Sequence, residues 1–540
     1  MAKKFFVTTP IYYANWLPHI GHSYSSFIAD FYARYKRLFW YEVKFSTWTD
    51  ENSQKIVQKA QELWKDVMDY LNEIDIERRR TRDDLNISYT DYIRTTEERH
   101  KIFVQKILKK VHEKDLHKPE NERDIYKWQY SWLYCVGCES FKYERDLVKN
   151  DKWELVCPDH QKKPDEIKEN NRFFRLKSYE SELKNFYKTN PDFVVPQHRF
   201  NEIISFVDMG LEDFSISRET NKFGIPLPFD DQQVTYVWYD ALLNYVTVCQ
   251  EDETNNFRDE WTQILHILWK DIVKFHATYR PAMLMSAWLR LPDKEVVTWY
   301  FTVDGQKMSK SIWNVIDPVQ LAKDYDRDLI VFYLLYDVHI GWDWDFSRER
   351  FKNMYDSMLI WWWGNLVNRV TSLCKKYSIK NWNIETLKHW KIKELFVSEN
   401  NLLKYFDEGF DVGDFEKKYL DGGNLKQYLE EWYQLVQYAN EYISKAEPWK
   451  KYKDENTKDE AISDLKFLLY FVKNIALLSA PFLVNWFKKI QKILWNQEIS
   501  SIDIDSKNAL DLDQFKKVFD MKNFDVDLNI EVIYQKKLEE

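Results

Sequence analysis

Glycine is the first thing this chain lacks. Its 540 residues include 11 glycines and 24 tryptophans, whereas ordinary usage of about 7% predicts roughly 38 glycines at this length. Few other residues accept positive φ without cost, so a chain this poor in glycine has an unmet backbone requirement at its turns. Cysteine is scarce too. Five in so long a chain exclude a disulfide framework and favour a reducing, cytoplasmic compartment. No long apolar run is uninterrupted. The best, "FLLYFVKNIALLSAPFLV" at 467–484, is broken by Lys473, Asn474 and Pro481 and falls short of the roughly 20 apolar residues a membrane span needs. A buried bundle helix is expected there, with no membrane partner. At the start, Pro10 follows too soon for a signal-peptide apolar stretch. Positive charge is not in excess either, with 78 Lys and Arg against 87 Asp and Glu and a net −9. That excludes a generally basic nucleic-acid coat and leaves only a local basic face for such a partner.

A chain this long is expected to divide into roughly two to four domains. The first 50 residues read as strand, helix, strand: "KKFFVTTPIYY", "HIGHSYSSFIADFYARYKRLF", "YEVKFSTWTD". This βαβ opening predicts an α/β, doubly wound parallel-sheet (Rossmann-like) domain with ligands at the carboxyl ends of its strands. Helical patterns fill 51–115. Residues 116–222 are charge-rich, irregular and hold the cysteine cluster, as an insertion would. α/β character returns over 223–324 in "VTYVWYDALLNY" and "EVVTWYFTVDG", and 325–540 turns helical, with a weak strand pattern only near the end.

Two short motifs carry chemistry. "PHIGH", 18–22, stands where strand passes to helix, and a helix N-terminus attracts phosphate through its unpaired N–H groups and partial positive charge. His19 and His22 can donate to phosphoryl oxygens, and Gly21 lets a flat base approach the backbone. Alone this motif is weak. "KMSKS", 307–311, offers Lys307, Ser309 and Lys310; its ammonium groups suit charge spread over phosphoryl oxygens in a transition state. A third constellation, Cys135-x-x-Cys138 with Cys157-x-x-His160, provides four ligands suited to tetrahedral Zn²⁺, all from protein, so the predicted metal is structural.

The two phosphate motifs, in this order on α/β halves split by an insertion, are the signature of class I aminoacyl-tRNA synthetases. The chain resembles the methionyl-tRNA synthetase family in particular, through "TTPIYYANWLPHIGH", "WTDENSQK", "IYKWQYSWLYCVGCE", "LEDFSISRE", "YVWYDALLNY", "WKDIVKFHATYRPAML", "DGQKMSKSIWNVIDP" and "WGNLVNRV". The resemblance implies ATP-dependent activation of L-methionine to the adenylate, then transfer to the terminal adenosine of tRNA(Met). No protein nucleophile is needed, so positioning and charge stabilisation carry the reaction. Matched by motif, His19, Gly21 and His22 contact ATP, Lys307, Ser309 and Lys310 close over the pyrophosphate, and Mg²⁺ accompanies ATP. Tyr13, Trp238, Ala241, Tyr245, Ile272 and His276 would line the methionine pocket, with Asp50 at the substrate ammonium. The insertion helps place the tRNA acceptor end, and Asn365, Arg369 and Trp449 of a helical anticodon-binding domain would read splayed bases. The chain runs to residue 540 without an obvious extra C-terminal RNA-binding barrel, so a monomer is expected.

Against this background the tryptophans stand out. Where the family has glycine, this chain has Trp16, Trp40, Trp48, Trp128, Trp132, Trp269, Trp288, Trp299, Trp313 and Trp344. Each such change costs about 1–3 kcal/mol in strain and overpacking, and together they exceed a total stability of about 5–15 kcal/mol. Yet Trp238 and Trp449 stand where the family itself has tryptophan. The expectation is a gene whose UGA codons are read as glycine, and a native chain with glycine at most of these positions. Smaller departures are Asn52-Ser53, where relatives have His-Gly, and Arg280, where they often have Trp. The competing readings are a synthetase for another apolar amino acid and a catalytically silent tRNA-binding paralogue.

Overall fold

The computed structural model describes residues 3–10, 12, 18–39, 41–135, 140–142, 146–150, 153–158, 161–219, 222–249, 263–299, 301–303, 305–307, 315–338, 340, 344–383, 400, 402–495, 502–505, 523–525 and 527–528. The opening βαβ unit forms as its pattern predicts. Strand β1, Lys3–Thr8, is buried from Phe5 onward, helix α1 spans Ile20–Leu38, and β2, Tyr41–Thr49, pairs with β1 in parallel. Helix α2 (Gln54–Glu62), helix α3 (Val67–Asp84) and helix α4 (Glu98–Lys114) occupy the stretch expected to be helical. A short strand, β3 (Asp91–Arg94), lies among them and pairs in parallel with β2. Four residues are too few for alternation to register in the sequence.

The central sheet has six strands in the order β3, β2, β1, Gln263–Trp269, Lys294–Thr298, Val194–Val195, and every pairing in it is parallel. Chain order reverses between β1 and Gln263–Trp269. Ligands of doubly wound sheets bind at this switch point, outside the carboxyl ends of the strands. Strand Val194–Val195 falls inside the stretch expected to be an insertion, yet it joins the edge of the central sheet. The rest of that stretch forms a separate antiparallel sheet built on two long strands, Ile125–Cys135 and Asp165–Phe174.

The C-terminal half packs as helices, chiefly Asn365–Lys376, Leu425–Ala446, Lys458–Ser479 and Val484–Ile493. The apolar stretch near 467–484 is buried inside this bundle. Among the described residues no helix is long and apolar enough to cross a membrane. Arg327 joins bundle to sheet domain, donating to Asp30 of α1 at 2.6 Å, and Arg34 donates to the same carboxylate at 2.9 Å. Burial alone would raise the Asp30 pKa, but the two guanidinium groups with Ser88 hold it below the usual range.

Candidate active site

At the switch point, α1 begins with a reciprocal histidine cap. His19 is the N-cap residue, and its Nδ1 accepts from Gly21 N–H at 3.1 Å. Nδ1 of His22 accepts from His19 N–H at 3.3 Å. Imidazoles have replaced the usual Ser and Glu of a capping box. Because each Nδ1 accepts, the proton of each neutral ring sits on Nε2, leaving both rings as donors. Burial lowers the His19 pKa to about 4. For His22, burial first, then the charges of His19, Arg78 and Arg82, push it well below the ordinary value. Two neutral donors at a positive helix end suit a phosphate chain.

The cap is tied to the chain downstream of the lysine motif. Ile20 N–H donates to the Ile316 carbonyl at 3.2 Å, and 316 lies five residues beyond Ser311, the last residue of the lysine–serine motif. The loop's first lysine, Lys307, ends a short strand, Gln306–Lys307, antiparallel to Phe301–Val303. Ser309, Lys310 and Trp313 lie outside the described residues, as do Tyr13, Trp16 and Trp40.

Of the expected methionine-pocket residues, those described are buried in one apolar cluster or pack against it. Trp238 stacks on Phe275 at 3.8 Å between ring centroids. The Tyr245 hydroxyl lies 2.7 Å from His276 Nε2, and His276 Nδ1 lies 3.0 Å from the Ile272 carbonyl. A carbonyl only accepts, so Nδ1 carries the proton and Tyr245 donates to Nε2. Burial lowers the His276 pKa to about 3, which keeps the pair neutral. Ala241 and Ile272 are buried alongside, and Asp50, also buried, ends β2 nearby, its N–H donating to the Tyr12 carbonyl at 3.1 Å.

In the helical region, Arg369 lies over the Trp449 ring at 5.7 Å. The two residues, with Asn368, Ser372 and Leu373, line an open cleft of about 490 Å³. Asn365 starts the same helix, one turn before Arg369. A cation and an indole around an open cleft can stack and edge-bind an unpaired base.

Comparison with known proteins gives the family. A family model described as class I tRNA synthetases (M) matches residues 5–371, and one described as the anticodon binding domain of methionyl tRNA ligase matches 412–524. The chain belongs to the methionyl-tRNA synthetase family. It is similar to the methionine–tRNA ligase of Nostoc sp., 39% identical over 489 residues, 89% of this chain and 88% of that one. The Thermotoga maritima enzyme is 38% identical over 455 residues, 83% of this chain and 68% of the relative. Among solved structures, Mycobacterium tuberculosis methionyl-tRNA synthetase in complex with methionyl-adenylate superimposes with a TM-score of 0.82 at 32% identity, covering 91% of this chain and 94% of that one.

Of the zinc ligands expected in this methionyl-tRNA synthetase family member, Cys135 and Cys157 are buried, while Cys138 and His160 lie outside the described residues. Among the described residues no group of three or more His, Cys, Asp or Glu side chains is placed to hold a metal. Sequence reading missed Arg82, whose run "ERRRTRDD" on α3 reads as a solvated face. Arg82 is buried, lies 5.4 Å from the Tyr12 ring and lines a small cavity with Tyr12 and His22. Only the fold turns it inward. Two tryptophans also occupy the site. Trp269 stands 5.0 Å from the His22 ring and 5.5 Å from Tyr12. Trp48, fully buried, reaches the Thr9 carbonyl at 3.4 Å and meets Tyr245 edge-on at 5.4 Å.

Proposed function

We infer that the chain catalyses attack of methionine's carboxylate on the α-phosphorus of ATP, with release of pyrophosphate, and passes the methionyl group to the 3′ end of tRNA(Met). The observation that carries this is the neutral two-histidine cap at the switch point, hydrogen-bonded through Ile20 to the segment after the lysine–serine loop. In this reading the Nε2–H donors of His19 and His22 follow the charge that builds on phosphoryl oxygens, and Gly21 N–H adds to the helix's positive end. Lys307 and Lys310 clamp the leaving pyrophosphate, with Ser309 beside them, and Mg²⁺ accompanies ATP. Asp50 meets the substrate ammonium. Tyr13, Trp238, Ala241, Tyr245, Ile272 and His276 enclose the thioether, which favours a polarisable, apolar wall. Asn365, Arg369 and Trp449 read the anticodon.

Cys135, Cys138, Cys157 and His160 would hold one structural Zn²⁺. Two buried thiols fit such a site, as does the tight turn in which Gln161 N–H donates to the Cys157 carbonyl at 2.8 Å. The metal would supply a staple for a small sheet with little core of its own. Working boundaries are 1–115 and 223–324 for the catalytic domain, 116–222 for the insertion and 325–540 for the helical region. The protein acts as a cytoplasmic monomer in this reading.

Methionine-dependent ATP–pyrophosphate exchange tests the whole. Exchange with methionine, lost in Lys310→Ala while the fold is kept, is the expected result. The protein is taken from its own cells: exchange with leucine or valine instead would identify a synthetase for another apolar amino acid, and no exchange with any amino acid would leave a tRNA-binding paralogue.

A further inference from the structure

Eight non-glycine residues among those described have positive φ, and three of them are tryptophans: Trp64 at 55°, Trp153 at 62° and Trp288 at 53°. Tryptophan fills 24 of 540 positions, so three of eight is far above its share. A bulky side chain in the left-handed region is a steric outlier.

The surrounding hydrogen bonds say which residue each position is built for. After α2, Trp64 N–H donates to Gln61 O at 3.0 Å and Lys65 N–H to Ala60 O at 3.0 Å. After the helix Arg280–Ser286, Trp288 N–H donates to Met285 O at 3.0 Å and Leu289 N–H to Leu284 O at 2.8 Å. Both pairs form the Schellman motif, whose left-handed position is usually glycine, sometimes asparagine. After α3 the same motif carries Asn86, with φ 49°. Trp153 closes the hairpin between Val148–Lys149 and Leu155–Val156, its N–H donating to Asn150 O at 2.9 Å. A left-handed residue ending a short hairpin loop is again a glycine place. None of the three indoles is buried: Trp64 is 96% exposed, Trp153 78% and Trp288 55%. Lys149 near Trp153, and Lys110 and Lys114 near Trp288, at 5.0–5.4 Å, are the ring contacts they make, and such exposed contacts are weak.

Other tryptophans behave differently. Trp432 is buried, and its Nε1 donates to Ile475 O at 3.0 Å. Trp238 stacks on Phe275 in the amino-acid pocket. The anomaly is therefore positional, and it extends into the active site. The Trp48 indole, on β2, meets Tyr245, and the Trp269 indole meets His22, two of the residues expected to contact methionine and nucleotide.

We propose that the working protein carries glycine at positions 48, 64, 153, 269 and 288, where UGA codons are decoded as glycine, and that the substrate site opens only in that form. Positions 238 and 432 keep tryptophan. The glycine assignment at 64, 153 and 288 stands on backbone geometry alone, while the opening of the substrate site rests on the enzymatic reading above. Peptide mass spectrometry of the protein from its own cells tests it: glycine at the five positions with tryptophan at 238 and 432 is expected, and tryptophan at 64, 153 or 288 in native peptides overturns it. In the recombinant chain translated as written, Trp288→Gly should raise the unfolding midpoint more than Trp288→Ala, since alanine removes the indole but keeps the backbone strain. Equal midpoints would overturn the backbone argument. Trp48→Gly with Trp269→Gly should tighten methionine binding at least tenfold by calorimetry. Unchanged binding would overturn the claim that the indoles close the site.

Discussion

The backbone N–H of Ile20 donates to the carbonyl of Ile316 at 3.2 Å, so the first turn of α1 and the segment after the lysine–serine loop are held together although almost 300 residues of chain separate them. The contact holds that segment against a helix end where partial positive charge and neutral imidazole donors converge.

The histidine cap has two separable roles, in helix start and in phosphate contact. His19→Asn keeps an N-cap acceptor and loses the ring donor. It should retain the unfolding midpoint while kcat for methionine activation falls about 10²-fold or more. His19→Ala should lose the same activity and also about 1 kcal/mol of stability. Chemical denaturation alongside exchange kinetics separates the two; equal stability of both variants would show that the cap contributes nothing to folding.

Tyr245→Phe removes the donor to His276 Nε2 and leaves a buried acceptor unpaired. The expected cost is about 1–3 kcal/mol of stability, with a higher KM for methionine and little change in KM for ATP. A variant as stable as its parent would mean that another group or a water replaces the hydroxyl.

Arg369→Ala or Trp449→Ala should weaken tRNA charging by about 1–3 kcal/mol, read in kcat/KM for tRNA. Amino-acid activation should be untouched, because the cleft is lined by none of the cap or pocket residues. Loss of exchange in either variant would point to a folding defect in place of a binding one.

Removal of zinc should unfold the antiparallel sheet of the insertion and spare the central sheet. Metal analysis is expected to give one zinc per chain, reduced in Cys157→Ala, with chelation lowering charging. A chain free of zinc and fully active would dismiss the metal.

His100 is not among the expected site residues; its Nδ1 lies 2.9 Å from Thr247 Oγ1, and burial lowers its pKa to about 3. The folded value lies below the unfolded value of about 6.5, so its contribution to stability is present above pH 6.5 and is lost as pH falls, while the unfolded chain takes up the proton. Each such histidine contributes a slope of about 1.4 kcal/mol per pH unit between those values. His100→Gln should flatten the acid limb of stability against pH by about one proton, measured by denaturant unfolding from pH 7 to 4. An unaltered slope would mean that His100 is already protonated in the fold.

The opening βαβ unit, the burial of the 467–484 stretch and the two motifs that carry the family resemblance were readable because each rests on local periodicity or on residue types at short spacing, which any stretch of chain carries within itself. Strand β3 was too short to show alternation, and Val194–Val195 joined the central sheet through a pairing with Lys294–Thr298 that no local pattern encodes. The inward turn of Arg82 and the proton positions on His19, His22 and His276 depend on what packs against them, and so does the left-handed backbone at Trp64, Trp153 and Trp288. Composition could announce that glycine was missing. Only folding located where its absence strains the backbone, because φ at a helix end is imposed by hydrogen bonds that exist only once the chain has turned.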